Sequence, residues 1–299
     1  MSRTPKGDPV HGVMLLDKPE GMTSNAALQR VRRLLNARKA GHTGTLDPMA
    51  TGLLPLCFGD ATKFSADLLH ADKGYVARVK LGATTSTGDA EGEILETRTV
   101  EADAAAVAAA AQSFLGEIEQ VPPMHSALKR GGRPLYELAR RGEVVEREPR
   151  RVFVRSIFAA DFDGESFTLA CVVSKGTYIR VLAEDIGRAL GCGAHLTALR
   201  RTRVGNLTLD KAVTIEALEA LGTPEAVRAK LTPSDALLST LARVDLTAPQ
   251  AERFLLGQRL RLELPADPRV RVYDAAGALL GTASVSERGV LSPVRLIAH

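Results

Sequence analysis

The sequence predicts an α+β protein in two parts, the second a small all-β domain, and three observations support this fold class. The 299 residues are 45% hydrophobic and 25% charged, which is typical of a globular chain with room for more than one core. Apolar residues alternate with polar ones in some stretches and recur at helical spacing in others. Beyond residue 241, short strand patterns separated by turns replace most of the helical spacing.

The N-terminal part of the chain predicts a strand, a helix, a loop and two further strands. Residues 12–16 form an apolar run typical of a buried strand. Ser24 is a candidate N-cap for the helix that follows it. Residues 53–58 are expected in the core, and residues 75–81 alternate apolar with basic side chains, as a half-buried strand does. The apolar face of the helix is expected to be Leu28, Val31, Leu34 and Leu35.

The central part predicts a helix, a polar arm and a hairpin. Residues 101–115 are rich in alanine, which favours helix. Residues 121–150 are polar, basic and interrupted by proline and glycine. Polar segments of this length inside a compact domain are usually functional or mobile, so we expect a flexible arm. Residues 152–158 and 167–173 flank a turn and predict two paired strands.

The remaining elements follow from the same patterns. A polar segment, residues 174–180, leads into a helix that ends at Gly191, and residues 195–204 predict a strand. In the C-terminal part, Thr247 and Gln250 have the spacing of a capping box. The strands expected after it are residues 269–273, 279–285 and 290–296.

One glycine-rich loop, residues 41–52, has the composition of a functional site. It contains three glycines, three threonines, His42 and a single acid, Asp47. Pro48 restricts the backbone of Asp47 to extended conformations, so the carboxylate has a defined position. A carboxylate held in this way suits a nucleophile or a general base. An ordinary turn explains the same composition, and the loop alone does not decide between the two.

Several classes of protein are excluded by what the sequence lacks. The three cysteines, Cys57, Cys171 and Cys192, are far apart, which disfavours a disulfide framework. The six histidines are scattered, and neither a zinc motif nor a nucleotide-binding glycine motif occurs, so we expect no metal and no cofactor. No signal peptide or membrane-length apolar run is present, so the expected location is the cytoplasm.

Basic residues are clustered, which points to an anionic partner. The net charge is only +4, but arginines and lysines without intervening acids are concentrated near residues 30–39 and again at residues 200–203. A further basic group lies in the arm at residues 121–150. Each cluster alone is explained by a solvated surface, whereas three clusters around one candidate site favour contact with nucleic-acid phosphates.

Five stretches match one known family in the same order along the chain. The longest is GHTGTLDPMATG at residues 41–52, which is far more specific than a short motif. The others are LDKPEGMTS at residues 16–24, KGY at 73–75, KGTYIR at 175–180 and HLTALRR at 195–201. On these residues the chain resembles the bacterial tRNA pseudouridine-55 synthases of the TruB type. The resemblance extends from about residue 11 to the C-terminus.

The resemblance implies the domain organisation. Residues 11–241 would form a catalytic domain with the pseudouridine synthase fold, in which a mixed sheet is largely antiparallel. Within that domain, residues 121–150 would be a flexible basic arm that grips RNA. Residues 242–299 are similar to a PUA domain, a small β-barrel-like RNA-binding unit, and residues 1–10 would be a disordered tail.

The resemblance also implies roles for individual residues. Asp47 would be the nucleophile and Arg180 its ion partner. Tyr75 would act in catalysis and would stack on the substrate base, and Tyr178 is a second aromatic contact to it. Leu199 matches an apolar wall of the uracil pocket.

Two further residues complete the expected site. His42 would enter the space that the uridine leaves when it is extruded from the RNA. Lys18 is either structural or a contact to a phosphate.

The implied reaction converts uridine 55 in the T-loop of tRNA to pseudouridine. It gains and loses no atoms and needs no cofactor, which agrees with the missing cofactor motifs. The partner would be the T-arm stem-loop of tRNA, bound by a monomer that flips the base out of the stack. The alternatives are a synthase acting on another RNA and an RNA-binding or chaperone protein with a vestigial site. A carboxylate-pair glycosidase would need a second acid, which the loop does not supply.

Overall fold

The computed structural model describes residues 7–297 except 127, 140 and 144, and within them the α+β prediction is confirmed. The helices are α1 Ser24–Leu34, α2 Ser65–Leu69, α3 Ala104–Gln112, α4 Leu135–Ala139, α5 Ile179–Ala189, α6 Ile215–Glu219, α7 Pro224–Arg228 and α8 Ala248–Leu255. Short 3₁₀ turns span Gly59–Lys63, Leu209–Lys211 and Ser234–Leu238.

The strands divide into a large sheet, a smaller C-terminal sheet and two short pairs. The first nine are β1 Gly12–Lys18, β2 Ala40–His42, β3 Thr51–Phe58, β4 Lys73–Leu81, β5 Ala83–Thr85, β6 Ile94–Thr97, β7 Gly116–Gln120, β8 Lys129–Arg130 and β9 Arg133–Pro134. The remainder are β10 Arg150–Ala160, β11 Ser166–Val173, β12 Ala194–Val204, β13 Leu207–Thr208, β14 Ala242–Asp245, β15 Leu260–Arg261, β16 Asp267–Tyr273, β17 Leu279–Val285 and β18 Val290–Leu296.

The large sheet is mixed and largely antiparallel, as expected. Its strand order is β1-β3-β12-β4-β11-β10-β7, with β2 added beside β3 and β13 beside β12. Among the described strands of this sheet, only β3 and β12 pair in parallel, through the partners Arg200↔Thr51 and Arg201↔Gly52. The large core of the domain contains the buried faces of α1, α3 and α5 together with the inward side chains of the sheet. The loop that follows β2 therefore lies beside the centre of the sheet.

The C-terminal strands form a separate five-stranded sheet with the order β14-β16-β17-β18-β15 and its own apolar core. The structure and the fold neighbours described below are consistent with a PUA-like half-barrel. The sheet contacts the rest of the protein through an ion pair between Arg269 and Asp67, 2.9 Å apart, and a 2.8 Å hydrogen bond from the Tyr273 hydroxyl to Asp235.

Two local expectations were wrong. The N-cap of α1 is Thr23, whose hydroxyl accepts from the Ala26 backbone N–H, because Ser24 already lies inside the helix and bonds elsewhere. The expected disordered tail at residues 1–10 is also too long. Its first six residues lie outside the described part of the chain, but Asp8 forms a β-bridge with Ala37, and Val10 is buried.

The segment at residues 121–150, expected as a flexible arm, contains short regular elements in its described residues. β8 and β9 pair as a hairpin, and α4 follows directly. The segment begins where β7 ends and returns to the sheet through β10, which pairs with β7. The arm is thus anchored at both ends on neighbouring strands of the large sheet.

Candidate active site

Side chains from separate segments converge on one pocket of about 180 Å³. They come from the loop after β2, from β4 and β12, from the start of α5 and from the arm. Five of the residues singled out in the sequence lie in its wall, whereas Lys18 and His42 do not. The lining residues are Thr45, Leu46, Asp47, Tyr75, His125, Ser126, Thr177, Tyr178, Ile179, Arg180 and Leu199.

The loop that carries Asp47 is held by a buried serine. The Ser24 hydroxyl donates to the Leu46 carbonyl at 3.0 Å and accepts from the Leu46 backbone N–H at 2.8 Å. This pair of bonds joins the first turn of α1 to the residue immediately before Asp47. Gly44 has a φ of +125°, a conformation that side chains rarely adopt, and so permits the bend that leads into this contact.

Lys18 holds the loop on the other side of Asp47, and its contacts favour the structural alternative over a phosphate contact. The side chain is fully buried, and its ammonium donates to the carbonyls of Pro19 at 2.7 Å, Met22 at 2.7 Å and Pro48 at 3.3 Å. An ammonium has three donors, so all are used by the protein itself. Burial lowers the pKa of Lys18 to about 8, and the charge of Asp47 opposes this effect. The structural alternative is the one observed.

Arg180 forms the expected ion pair with Asp47. The distance from its Nη2 to Asp47 Oδ2 is 3.0 Å, and the arginine side chain is 6% exposed whereas that of Asp47 is 40% exposed. The guanidinium therefore orients the carboxylate and stabilises its charge from the protein side, while the carboxylate remains open to the pocket.

The same guanidinium has a second carboxylate partner that the sequence did not indicate. Asp89 Oδ2 lies 3.3 Å from Arg180 Nη1, and its side chain is buried. Arg180 also donates to the Thr87 carbonyl at 3.0 Å and to the His125 carbonyl at 2.7 Å. Four acceptors from three segments thus fix the guanidinium, which leaves little freedom for the Asp47 pair.

The two tyrosines lie on different elements of the pocket wall. Tyr75 projects from β4, and burial raises its pKa, as it does that of Tyr178. Tyr178 is the residue that precedes α5, and its backbone is bound by Gln120. The Gln120 amide donates to the Tyr178 carbonyl at 3.3 Å, and its oxygen accepts from the Tyr178 N–H at 3.0 Å. Both rings are therefore neutral aromatic surfaces at physiological pH.

Leu199 and His42 differ in their relation to the pocket. Leu199, on β12, is 8% exposed and lines it. His42 ends β2, opposite Leu56, and does not reach the lining. Burial and then the charge of Arg201 lower the pKa of His42, so the imidazole is neutral near pH 7. Its Nδ1 is buried without a hydrogen-bond partner.

The residues that sequence reasoning missed act mainly through the backbone. Gln120 binds the backbone of Tyr178, and the carbonyl of His125 binds Arg180. Ser126 is buried in the pocket wall. No motif signals such contacts, because any residue supplies a carbonyl. The only available signal was the position of Gln120 at the start of the proline-containing arm.

Two absences hold for the described residues. They contain no group of three or more histidine, cysteine or carboxylate side chains arranged to bind a metal ion. No helix among them combines the length and apolar character needed to cross a bilayer.

Comparison with known proteins extends the geometric picture. Residues 32–179 match a family profile described as TruB family pseudouridylate synthase (N terminal domain). Residues 180–239 match the tRNA pseudouridylate synthase B C-terminal domain, and residues 242–297 match pseudouridine synthase II TruB, C-terminal. The profiles meet at Arg180, so the two partners of the ion pair lie in different profile matches.

Curated relatives match almost the whole chain. The tRNA pseudouridine synthase B of Burkholderia mallei (strain NCTC 10247) is 61% identical over 293 residues, covering 96% of each chain. That of Ralstonia nicotianae is 60% identical over 306 residues, covering 99% of this chain and 96% of the relative.

Solved structures share the fold across the same length. A crystal structure of a Cbf5-Nop10-Gar1 complex contains a chain with a TM-score of 0.75 and 25% identity, covering 96% of this chain and 84% of the other. A chain of the archaeal box H/ACA sRNP Nop10-Cbf5 complex has a TM-score of 0.73 and covers 99% of this chain and 92% of the other. From the profile matches and the near-complete relatives together, the chain belongs to the TruB family of pseudouridylate synthases.

Proposed function

We propose that this enzyme converts uridine 55 in the T-loop of tRNA to pseudouridine, with Asp47 as the nucleophile. The observation that carries the proposal is the Asp47–Arg180 pair, 3.0 Å apart, in a pocket of a chain that resembles tRNA pseudouridine synthase B throughout. Asp47 is the exposed member of the pair, so its carboxylate is the group available to a substrate.

The pocket suits a single base rather than a larger ligand. Sites for drug-sized molecules occupy roughly 300–1,000 Å³, and this one is about 180 Å³. Tyr75 and Tyr178 supply aromatic surfaces and Leu199 an apolar wall. Stacking on an aromatic side chain contributes about 1–3 kcal/mol per base, which offsets the loss of stacking when the base is flipped out.

In the proposed mechanism, the chain binds the flipped uracil and breaks its glycosidic bond with the help of the Asp47 carboxylate. The base then turns, and its C5 forms a bond to C1′ of the sugar; the C5 proton leaves to solvent, and N1, freed from the sugar, takes up a proton in its place. Arg180 keeps the Asp47 carboxylate in one position during these steps. No cofactor is needed because the product is an isomer of the substrate.

The proposal includes how tRNA is held. The arm at residues 121–150 and the C-terminal sheet would contact the T-arm on either side of the pocket, with a monomer acting in the cytoplasm. In the C-terminal domain, the exposed arginines Arg261 and Arg288 line one cavity, which suits a phosphate contact. Replacing both with glutamate should weaken tRNA binding and flatten its salt dependence, as measured by filter binding. Unchanged affinity would remove this contact.

The decisive experiment measures tritium release from tRNA labelled at uridine C5. The wild-type protein should release tritium from position 55, and Asp47→Asn, which keeps the size of the side chain, should release none. Activity in Asp47→Asn would exclude the nucleophile role. Tight tRNA binding without release by the wild type would favour an RNA chaperone instead, and release from another RNA alone would change the substrate.

A further inference from the structure

Arg201 on β12 is a buried cation beneath the pocket, and the ion pair at Asp47 does not involve it. Its side chain is 1% exposed. Its Nε donates to the Leu53 carbonyl at 2.8 Å and its Nη2 to the Gly44 carbonyl at 3.4 Å. Within residues 7–297, apart from the three undescribed positions, no carboxylate lies within ion-pair distance of it. Burial of a cation without an anionic partner is unfavourable, so its presence calls for a specific use.

The two carbonyls that Arg201 binds lie on either side of Asp47. Gly44 precedes the carboxylate in the loop, and Leu53 follows it at the start of β3. Gly52 has a φ of +99°, and a Cβ added there would lie 2.3 Å from the Arg201 carbonyl oxygen. The backbone of β12 at Arg201 therefore contacts the C-terminal end of the loop at Gly52 directly. The Arg201 side chain connects Leu53 to Gly44, on either side of Asp47.

Tyr75 is the third group at Arg201. The two residues are opposite each other in the antiparallel pairing of β4 with β12, which places their side chains on one face of the sheet as neighbours. Burial raises the pKa of Tyr75, and the positive charge of the neighbouring Arg201 opposes that rise.

We propose that Arg201 is a positioning residue whose one guanidinium sets the Asp47 loop and the Tyr75 ring in register with each other. Arg201 itself is sealed from the pocket and touches no reacting atom. Its effect on the reaction is transmitted through Tyr75 and through the carbonyls at the base of the loop. The inference rests on the proposed function, which assigns the nucleophile and the stacking surface to these two elements.

The test replaces Arg201 with methionine, which keeps an unbranched side chain as far as the position of Nε and removes the donors and the charge. With enzyme in excess over labelled tRNA, the single-turnover rate of Arg201→Met should fall about 100-fold, as expected when reacting groups are misplaced. The dissociation constant for tRNA should stay within about threefold of wild type, since binding and chemistry separate in such a case. Arg188→Met, at an exposed position on α5 outside the three basic clusters, is the matched control and should retain the wild-type rate.

A double-mutant cycle separates positioning from general support of the fold. Tyr75→Phe keeps the ring and removes the hydroxyl. If Arg201 acts through that hydroxyl, Arg201→Met should reduce the rate by a smaller factor in the Tyr75→Phe protein than in the wild type. Rate losses that multiply in full would overturn the coupling, and a wild-type rate in Arg201→Met would overturn the role altogether.

A third measurement does not depend on activity. The side-chain NMR resonance of Tyr75, assigned among the four tyrosines by Tyr75→Phe, should shift in Arg201→Met and remain in place in Arg188→Met. An unchanged resonance would refute the contact even if the proposed function failed, and a wild type without tritium release would refute only that function. Loss of the cooperative thermal transition in both Arg201→Met and the milder Arg201→Lys would make Arg201 a folding residue and overturn the inference.

Discussion

The pocket has two walls that are built in different ways. The loop wall, residues 45–47, is held from below by buried side-chain donors: Lys18, Ser24 and Arg201 bind its backbone or that of the residues beside it. The arm wall consists of His125 and Ser126. Its described contact to the Asp47–Arg180 pair is the His125 backbone carbonyl, which accepts from Arg180.

This difference separates the wall that positions Asp47 from the wall that we expect to affect how tRNA binds. The loop wall carries Asp47 and is fixed by groups that a bound RNA does not need to contact. The arm wall belongs to a segment that leaves the sheet where β7 ends and returns to it where β10 begins. We therefore expect loop-wall variants to slow the reaction of bound tRNA and arm-wall variants to weaken its binding.

The largest effect is expected for Lys18→Met. Methionine fills the space but removes the ammonium donor from the carbonyls of Pro19, Met22 and Pro48. The Pro48 carbonyl keeps only its 2.8 Å bond from the Gly21 N–H, and each polar group left unsatisfied costs about 1–3 kcal/mol. Since Pro48 follows Asp47, the single-turnover rate at saturating enzyme should fall about 100-fold. The thermal midpoint should fall as well, and Lys80→Met, at an exposed position on β4, is the control.

A rate loss in Lys18→Met that disappears at higher enzyme concentration would place the effect in binding. It would then contradict the distinction between the two walls.

A smaller effect, of the opposite kind, is expected for Gln120→Ala. Gln120 is buried where the arm begins, and its removal leaves the Tyr178 N–H without the Gln120 oxygen that accepts from it. The Tyr178 carbonyl loses the Gln120 amide but still accepts from the Leu182 N–H at 3.0 Å. The affinity for tRNA should fall about tenfold, which corresponds to the loss of roughly 1.4 kcal/mol. Filter binding measures the affinity, and single-turnover tritium release measures the rate.

Two controls accompany this change. Gln120→Glu keeps the oxygen that accepts from the Tyr178 N–H and should lose less affinity than Gln120→Ala. Gln112→Ala, at an exposed helix end, should resemble the wild type. A larger loss of rate than of affinity in Gln120→Ala would show that the arm wall also sets the chemistry.

The smallest effect is expected in the pH dependence of stability, to which His42, beside the loop wall, contributes. Burial and the charge of Arg201 lower the pKa of His42 from its ordinary value of 6.5. Below pH 6.5 the unfolded chain therefore takes up a proton before the folded one, so this residue's share of the stability is complete above 6.5 and is lost on acidification.

The drop in thermal midpoint between pH 7.5 and pH 5.5, roughly one unit either side of the ordinary histidine pKa, should accordingly be smaller in His42→Gln than in wild type. His70→Gln, at an exposed position, is the control. Equal drops in wild type and His42→Gln would mean that the imidazole is no harder to protonate in the folded state.

The sequence predicted the loop wall far better than the arm wall, and the reason is physical. Glycine, proline and a lone acid determine local backbone geometry, so residues 41–52 indicated a candidate site at Asp47, with an ordinary turn as the alternative. The resemblance then supplied Arg180, Tyr75 and Tyr178. The sequence left two roles open for Lys18, because a lysine ammonium donates equally well to backbone carbonyls and to phosphates. The burial of the side chain favours the carbonyls.

The remaining contacts depend on tertiary structure. Asp89 meets Arg180 only after distant elements have packed, and the His125 carbonyl has no side-chain signature. The helix start was misplaced by one residue because Thr23 and Ser24 are both good caps. The Ser24 hydroxyl instead hydrogen-bonds to Leu46, a tertiary contact that local helix propensity does not predict.

The short parallel pairing of β3 with β12 bears on how the protein is made. Arg201 and Leu53, joined by a 2.8 Å hydrogen bond, are 148 positions apart in the chain. Contacts this distant in sequence carry a large loop-closure entropy and form late in folding. On the ribosome, the loop of Asp47 emerges long before the strand that supports it. A nascent chain that ends before β12 therefore contains Asp47 but not the strand that supports its loop. The proposed reaction becomes possible only when synthesis of the domain is nearly complete.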